Sequence, residues 1–199
     1  EILIGLVGSE MCIRDSIAAG RFTLDGVEYT LAVNDGDNHL HGGPTGFSTR
    51  VWQADEVPNG VRFTYHSQDM EEGFPGALTA QVTYSLDGNA LVAHYQATTD
   101  KTTLCSLTNH AYFNLDGHAS GSVRDLEMQI NADLVTEVGE GLIPTGRLLP
   151  VSEVPYNFTS PTRIGDVLDK MPECPGMTMA KGVDFNFCAG RDRETKVIA

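Results

Sequence analysis

The sequence is short of most features that give a quick answer. Its four cysteines, Cys12, Cys105, Cys174 and Cys188, form no Cys-x-x-Cys pair and have no metal-like spacing. That argues against a zinc site and a disulfide framework; free thiols in a reducing, cytoplasmic compartment are expected. No apolar run approaches the roughly 18 residues of a membrane helix. The apolar start Ile2–Val7 is short and has no basic flank, so it does not read as a signal peptide. Without such a leader, the sequon Asn157-Phe158-Thr159 reads as chance. Basic residues are few, 13 against 27 acidic, giving a formal charge of −14. This balance argues against nucleic acid and anionic membrane as partners and is neutral toward an uncharged ligand. There is no Gly-x-Ser-x-Gly elbow and no Gly-x-Gly-x-x-Gly after a strand, so serine hydrolysis and nucleotide binding have no support.

Helix signals are scarce as well. Ser160–Lys170 offers the best one, with Ser160 as a cap and Pro161 at the first helical position. Gly165 weakens it and Pro172 ends it, so a turn or two is expected. Strand signals are plentiful. Leu78, Ala80, Val82, Tyr84 and Leu86 share one face, and Thr79, Gln81, Thr83 and Ser85 the other. After a turn at Asp87-Gly88-Asn89 a second alternating run covers Leu91 to Ala97, predicting a hairpin. A further hairpin is predicted over Arg21 to Leu31, turning at Asp25-Gly26. More strands are expected at Val61 to His66, Leu104 to Phe113, Asp125 to Asn131 and Arg147 to Pro150. This pattern predicts an all-β protein, an antiparallel sandwich or barrel with little helix. No repeat and no linker divides residues 17–199, which are expected to form one partial β-domain. Residues 1–16 show neither period and read as an atypical segment, a foreign junction rather than native sequence.

Chemistry points first to His110, inside Leu107-Thr108-Asn109-His110-Ala111-Tyr112-Phe113-Asn114-Leu115. An imidazole fenced by Asn109, Tyr112 and Asn114 can be held in one orientation, and histidine is the side chain that exchanges protons near neutral pH. Tyr112 shares a face with His110 by the two-residue period. A flat aromatic beside amides suits a pyranose ring; a hydrogen-bonded core histidine is the plainer reading. His39 and His41, in Asn38-His39-Leu40-His41-Gly42-Gly43-Pro44, would share a face of a strand. With His110 as third ligand they would make a cupin-like metal site, although no carboxylate follows His41. Gly42 and Gly43 allow a sharp backbone turn beside a ligand. Asp184, in Gly182-Val183-Asp184-Phe185-Asn186-Phe187, faces away from its apolar neighbours, where sugar hydroxyls could satisfy it. Glu71-Glu72-Gly73-Phe74-Pro75-Gly76 reads as a solvated acidic turn.

Five blocks in order resemble those of the aldose 1-epimerase family. They are Asn38–Phe47 with Val51-Trp52, Glu72–Gly76, Thr108–Leu115, Leu142–Gly146 and Gly182–Phe187. The resemblance implies a large antiparallel β-sandwich that interconverts the α and β anomers of free aldoses such as galactose and glucose, without metal or organic cofactor. It implies His110 as the general acid that protonates the ring oxygen. His41 would hold and polarise the ring, with Tyr112, Asn109 and Asp184 contacting the sugar. The family's general base is a glutamate well downstream of the Asp184 block; Glu194, in a charged run, does not match it. The family's Asn-Arg pair before the strand starting at Ile17 is replaced by Asp15-Ser16, and Arg14 is two positions away. The chain, starting at Glu1, is therefore expected to be a fragment of such an enzyme, carrying the acid without the base and having little activity. A non-catalytic carbohydrate-binding sandwich is the alternative to an enzyme.

Overall fold

A computed structural model of the chain describes residues 15–188, which fall into two compact units, Asp15–Ala111 and the residues from Tyr112 onward. Arg14, Cys12 and Glu194 lie outside the described residues, as does all of the atypical N-terminal segment except Asp15 and Ser16.

The first unit is built on hairpins. Strands β1 (Arg21–Leu24) and β2 (Val27–Thr30) pair antiparallel around Asp25-Gly26. Both turn residues have positive φ, 51° and 80°, the two-residue turn whose twist suits a hairpin. The main sheet runs β3 (Gln53–Val57), β4 (Gly60–Ser67), β5 (Leu78–Asp87) and β6 (Ala90–Thr99), in that order and antiparallel throughout. The predicted β5–β6 hairpin is present, with Asp87 opposite Ala90 across Gly88-Asn89. Leu78, Ala80 and Val82 are buried alternately, as the period requires, but burial fades beyond Val82 and β6 is exposed except at Tyr95. β6 forms the edge of this sheet, so its apolar residues have a ladder on one side only. Phe63 and Val82 form the buried centre of the sheet's packing, flanked by Trp52, Val61, Tyr84 and Tyr95.

The second unit has short ladders and a larger core. β7 (Glu127–Met128) pairs with β10 (Thr162–Arg163); β8 (Leu134–Val138) lies between β9 (Pro144–Pro150) and β11 (Phe187–Cys188). The core gathers Val135, Val151, Tyr156, Phe158, Val167, Met177 and Phe185. Tyr156 and Phe185 stack at 3.9 Å, with planes 5° apart. Burial pushes the Tyr156 phenol up to about 12.

The all-β, antiparallel expectation holds, and the helices are short. Local expectations fail where alternation had no ladder to join. Leu104 to Phe113 forms no strand, and Asp125 to Asn131 contributes only β7. Among the described residues nothing pairs with 104–113 as a strand, and alternation reports an extended backbone rather than a partner. The helix predicted from Ser160 starts later, as α1 (Ile164–Leu168), with no side-chain cap. Thr162 and Arg163 are already committed to β10. Gly165 suits this helix because a Cβ there would lie 2.9 Å from the Arg124 carbonyl oxygen. A second helix, α2 (Pro175–Ala180), was not foreseen. No described helix is long and apolar enough to cross a membrane.

Candidate active site

The loop from Asn38 to Thr49 carries the first candidate histidines. It is not a strand, which corrects the expectation that His39 and His41 share a face. His39 sits beside Ile17, and each donates its backbone N–H to the other's carbonyl, at 2.9 and 3.0 Å. Its ring is fully buried, edge-on to Phe74, with Nδ1 2.8 Å from the Ala32 carbonyl. Two residues on, the backbone turns left-handed: φ is 55° at His41, 70° at Gly42 and 97° at Gly43. For a histidine this conformation costs about 1–3 kcal/mol, and it persists only where the surroundings enforce it. The turn sends His41 along a different path from His39. Among the described residues no three His, Cys, Asp or Glu side chains cluster as metal ligands.

His41 meets His110. Their ring centroids are 5.9 Å apart and their planes lie at 80°, edge to face. Both residues belong to the first unit, although the segments that carry them are far apart in sequence. The segment bearing His110 is held by Asn109 rather than by a ladder. Asn109 Nδ2 donates to the Tyr84 hydroxyl on β5 at 3.0 Å, and its Oδ1 accepts the Ala111 N–H at 2.8 Å. The amide that sequence reasoning offered to a sugar is thus engaged in fixing the backbone on either side of His110.

Sequence reasoning missed two features here. The Asp15 carboxylate lies 3.8 Å from His41 Nδ1 with its side chain only 5% exposed, within ion-pair reach of a protonated ring. The acids Glu71 and Glu72 are also not a solvated turn. Glu71, 14% exposed, binds Arg50 at 2.9 Å, accepts the Tyr65 hydroxyl at 2.7 Å and takes the Gln68 N–H at 3.2 Å. Burial first, and then the Glu71 carboxylate, pushes the Tyr65 phenol upward. Glu72 accepts a hydrogen bond from Thr45, within the histidine loop.

Tyr112 and Asp184 belong to the second unit. Tyr112 is 91% exposed. Asp184 is half-buried between Val183 and Phe185, which both pack on the core, in a run that is not a strand before Phe187. Asn186 fixes the run by donating from Nδ2 to Thr136 Oγ1 at 2.8 Å. In the same unit, Asn114 closes a local turn, donating to the Gly121 carbonyl at 3.2 Å and accepting the Asp116 N–H at 3.1 Å.

The antiparallel β-fold thus brings two imidazoles from distant parts of the sequence together, carried on glycine-rich and irregular segments. Residues 9–198 match the family described as Aldose 1-epimerase. The chain belongs to the aldose 1-epimerase family. It is 43% identical over 187 residues to the galactose mutarotase of Sus scrofa, covering 94% of this chain and 53% of that protein. To the aldose 1-epimerase of Escherichia coli K12 it is 44% identical over 146 residues, 72% of this chain and 42% of that one. Among solved structures, galactose 1-epimerase from Lactobacillus acidophilus superposes with a TM-score of 0.78 at 29% identity, over 95% of this chain and 55% of that one. An aldose epimerase homologue from C. elegans gives 0.73 at 32% identity, over 81% and 49%. The chain thus spans about half the length of the curated relatives it matches.

Proposed function

We propose that this chain is part of an aldose 1-epimerase, interconverting the α and β anomers of a free hexose such as galactose or glucose. The observation that carries the reading is the edge-to-face pair of His41 and His110, two imidazoles at 5.9 Å from segments far apart in sequence. Opening a hemiacetal ring requires one proton delivered to the ring oxygen and one removed from the anomeric hydroxyl. His110 is the acid in this reading: it protonates the ring oxygen as the C1–O5 bond breaks and the aldehyde forms. His41 holds and polarises the ring beside it. Rotation about C1–C2 presents the other face of the aldehyde, and His110 takes its proton back as the ring closes. Tyr112 and Asp184 serve as sugar contacts, and Asn109 fixes the path of the backbone that carries the acid. The proton leaving the anomeric hydroxyl goes to a base that we assign to no described residue, and that base returns it to the carbonyl oxygen as the ring closes. A neutral sugar with no leaving group to expel asks for no nucleophile. The free thiols Cys105, Cys174 and Cys188 support a reducing compartment such as the cytoplasm.

The test is polarimetry on the full-length protein. His110→Ala should slow mutarotation of α-galactose by about 10²–10⁴-fold, the usual contribution of a general acid. A His110→Ala rate close to wild type removes the assignment. Saturable sugar binding by a wild-type protein that does not accelerate mutarotation would instead favour a carbohydrate-binding role.

A further inference from the structure

Two loops with left-handed backbone meet where Glu72 reaches Gly43 and Thr45. One is His41-Gly42-Gly43, described above. The other contains Met70 at φ 66°, Glu72 at 50°, and Gly73 and Gly76 near 90°. They touch through the Glu72 carboxylate. A Cβ built on Gly43 would strike that carboxylate, with Glu72 Cδ at 3.0 Å and His39 Cε1 at 3.3 Å. The Glu72 side chain therefore occupies the space that a side chain at 43 would need. Its other oxygen takes the hydroxyl of Thr45, two residues further along the histidine loop. Thr45 Oγ1 in turn accepts Arg50 Nη2 at 3.2 Å, and the same guanidinium binds Glu71 at 2.9 Å. Tyr65 closes the chain onto β4 by donating to Glu71. The carboxylates at 71 and 72 thus have different partners: Glu71 fastens its loop to the sheet, and Glu72 fastens the histidine loop to Glu71's loop.

We propose that Glu72 is a positioning residue for His41. Its carboxylate fills the hollow left by Gly43 and grips Thr45, so the left-handed bend that aims His41 at His110 has one stable course. Glycine at 43 is required twice, for its positive φ and for the room it leaves the carboxylate. A side chain aimed by a strained backbone needs such a fixed neighbour, because strain relaxes when the contacts that enforce it are lost. The proposal rests on the reading of His41 as a ring-polarising residue for its effect on rate, but its geometric content does not.

The experiment therefore has two readouts in the full-length protein. In proton NMR of histidine-labelled protein, the His41 and His110 ring protons should show a mutual cross-peak in wild type. That cross-peak should be lost in Glu72→Ala and retained in Glu72→Gln, which still accepts from Thr45. In polarimetry, Glu72→Ala should lower kcat on the order of 10²-fold, the scale of a misaimed group, and Glu72→Gln should recover most of it. His41→Ala/Glu72→Ala should be no slower than His41→Ala alone, since one residue acts through the other. Should Glu72→Ala fail to fold, Thr45→Val severs the same grip with little change in volume and is expected to act in the same direction. A Glu72→Ala protein that keeps the cross-peak, or a double variant whose losses multiply, overturns the proposal. If His41→Ala and His110→Ala leave the rate untouched, the functional reading fails, and the cross-peak still decides the role of Glu72.

Discussion

In the first unit β4 and β5 face each other over eight residue pairs and β5 and β6 over ten, yet the packing centre of this sheet is Phe63 and Val82. In the second unit β7 and β10 pair over two residues, yet seven side chains from Val135 to Phe185 are buried in one core. One unit relies on backbone ladders and the other on side-chain packing. Ladders leave faces and edges open, and the first unit uses such irregular, partly open segments to carry His41 and His110. A packed core tolerates little change in volume. The same substitution should therefore have very different effects in the two units.

The largest effect is expected in the second unit. Phe158 is 1% exposed at the centre of its core. Phe158→Ala should cost about 3–5 kcal/mol, from lost burial and the cavity left behind. Leu91, on the exposed strand β6, is the counterpart. Leu91→Ala should change stability by no more than about 0.5 kcal/mol. Urea unfolding followed by circular dichroism measures both. Equal losses would mean that the apolar side of β6 is covered in solution, and the contrast between the units would be gone.

A second pair of substitutions separates backbone strain from crowding within the first unit. Gly88, in the β5–β6 turn, has φ 57° and open space where a Cβ would go. Gly88→Ala pays only for the left-handed backbone, about 1–2 kcal/mol. Gly43 has φ 97° and the Glu72 carboxylate in that space. Gly43→Ala adds crowding to backbone cost, for about 2–4 kcal/mol in all. Thermal unfolding of the two variants gives the order. Gly88→Ala as costly as Gly43→Ala would show that the contact with Glu72 yields freely.

How much of this was legible follows the same division. The β1–β2 and β5–β6 hairpins were readable because alternation and an Asp-Gly turn are both local signals. Leu104 to Phe113 was misread because alternation gives a backbone conformation, while a strand also needs a neighbour. α2 carries a local signal, Pro175 at its first position and left-handed Lys181 before Gly182 at its end, but Pro-Gly at its start reads equally well as a turn. The meeting of His41 with His110 has no local signal at all. It is set by the left-handed turn at 41–43 and by the bond of Asn109 to Tyr84, 25 positions away; in the sequence the two histidines are joined only by the family resemblance and by the cupin-like alternative. Glu71 and Glu72 read as solvated because an acidic pair beside Gly and Pro usually is. Their partners Arg50, Tyr65 and Thr45 come from elsewhere in the chain.

Tyr156 gives the packed core a signature at alkaline pH. Its folded phenol stands near 12, raised by burial, against about 10 in an unfolded chain. Between those values the unfolded state has released a proton that the folded state keeps. Stability should therefore be intact below pH 10 and fall as pH rises toward 12. Tyr156→Phe should make that fall shallower in urea unfolding at pH 9 to 12. An unchanged slope would assign the alkaline loss to other groups.

The smallest expected effect is in the first unit and runs at the other end of the pH scale. Asp69 accepts Lys101 Nζ at 2.6 Å and the Gly76 N–H at 2.7 Å, tying the entry of β5 to the residues just after β6. The lysine first and the amide second hold its carboxyl below the ordinary carboxylate range. A lowered folded pKa means that the unfolded chain takes up a proton first as pH falls. The contribution is therefore complete above the unfolded value near 4 and is lost as pH drops through the folded one. Both partners are exposed, so salt should weaken the pair as acid does. Asp69→Asn keeps an oxygen for Gly76 and removes only the charge. Its Tm should be slightly below wild type at pH 7 in low salt, and the gap should close at pH 2 and in 1 M salt. A gap that persists under both conditions would show that this tie works through shape and hydrogen bonding, as the core of the second unit does, and not through charge.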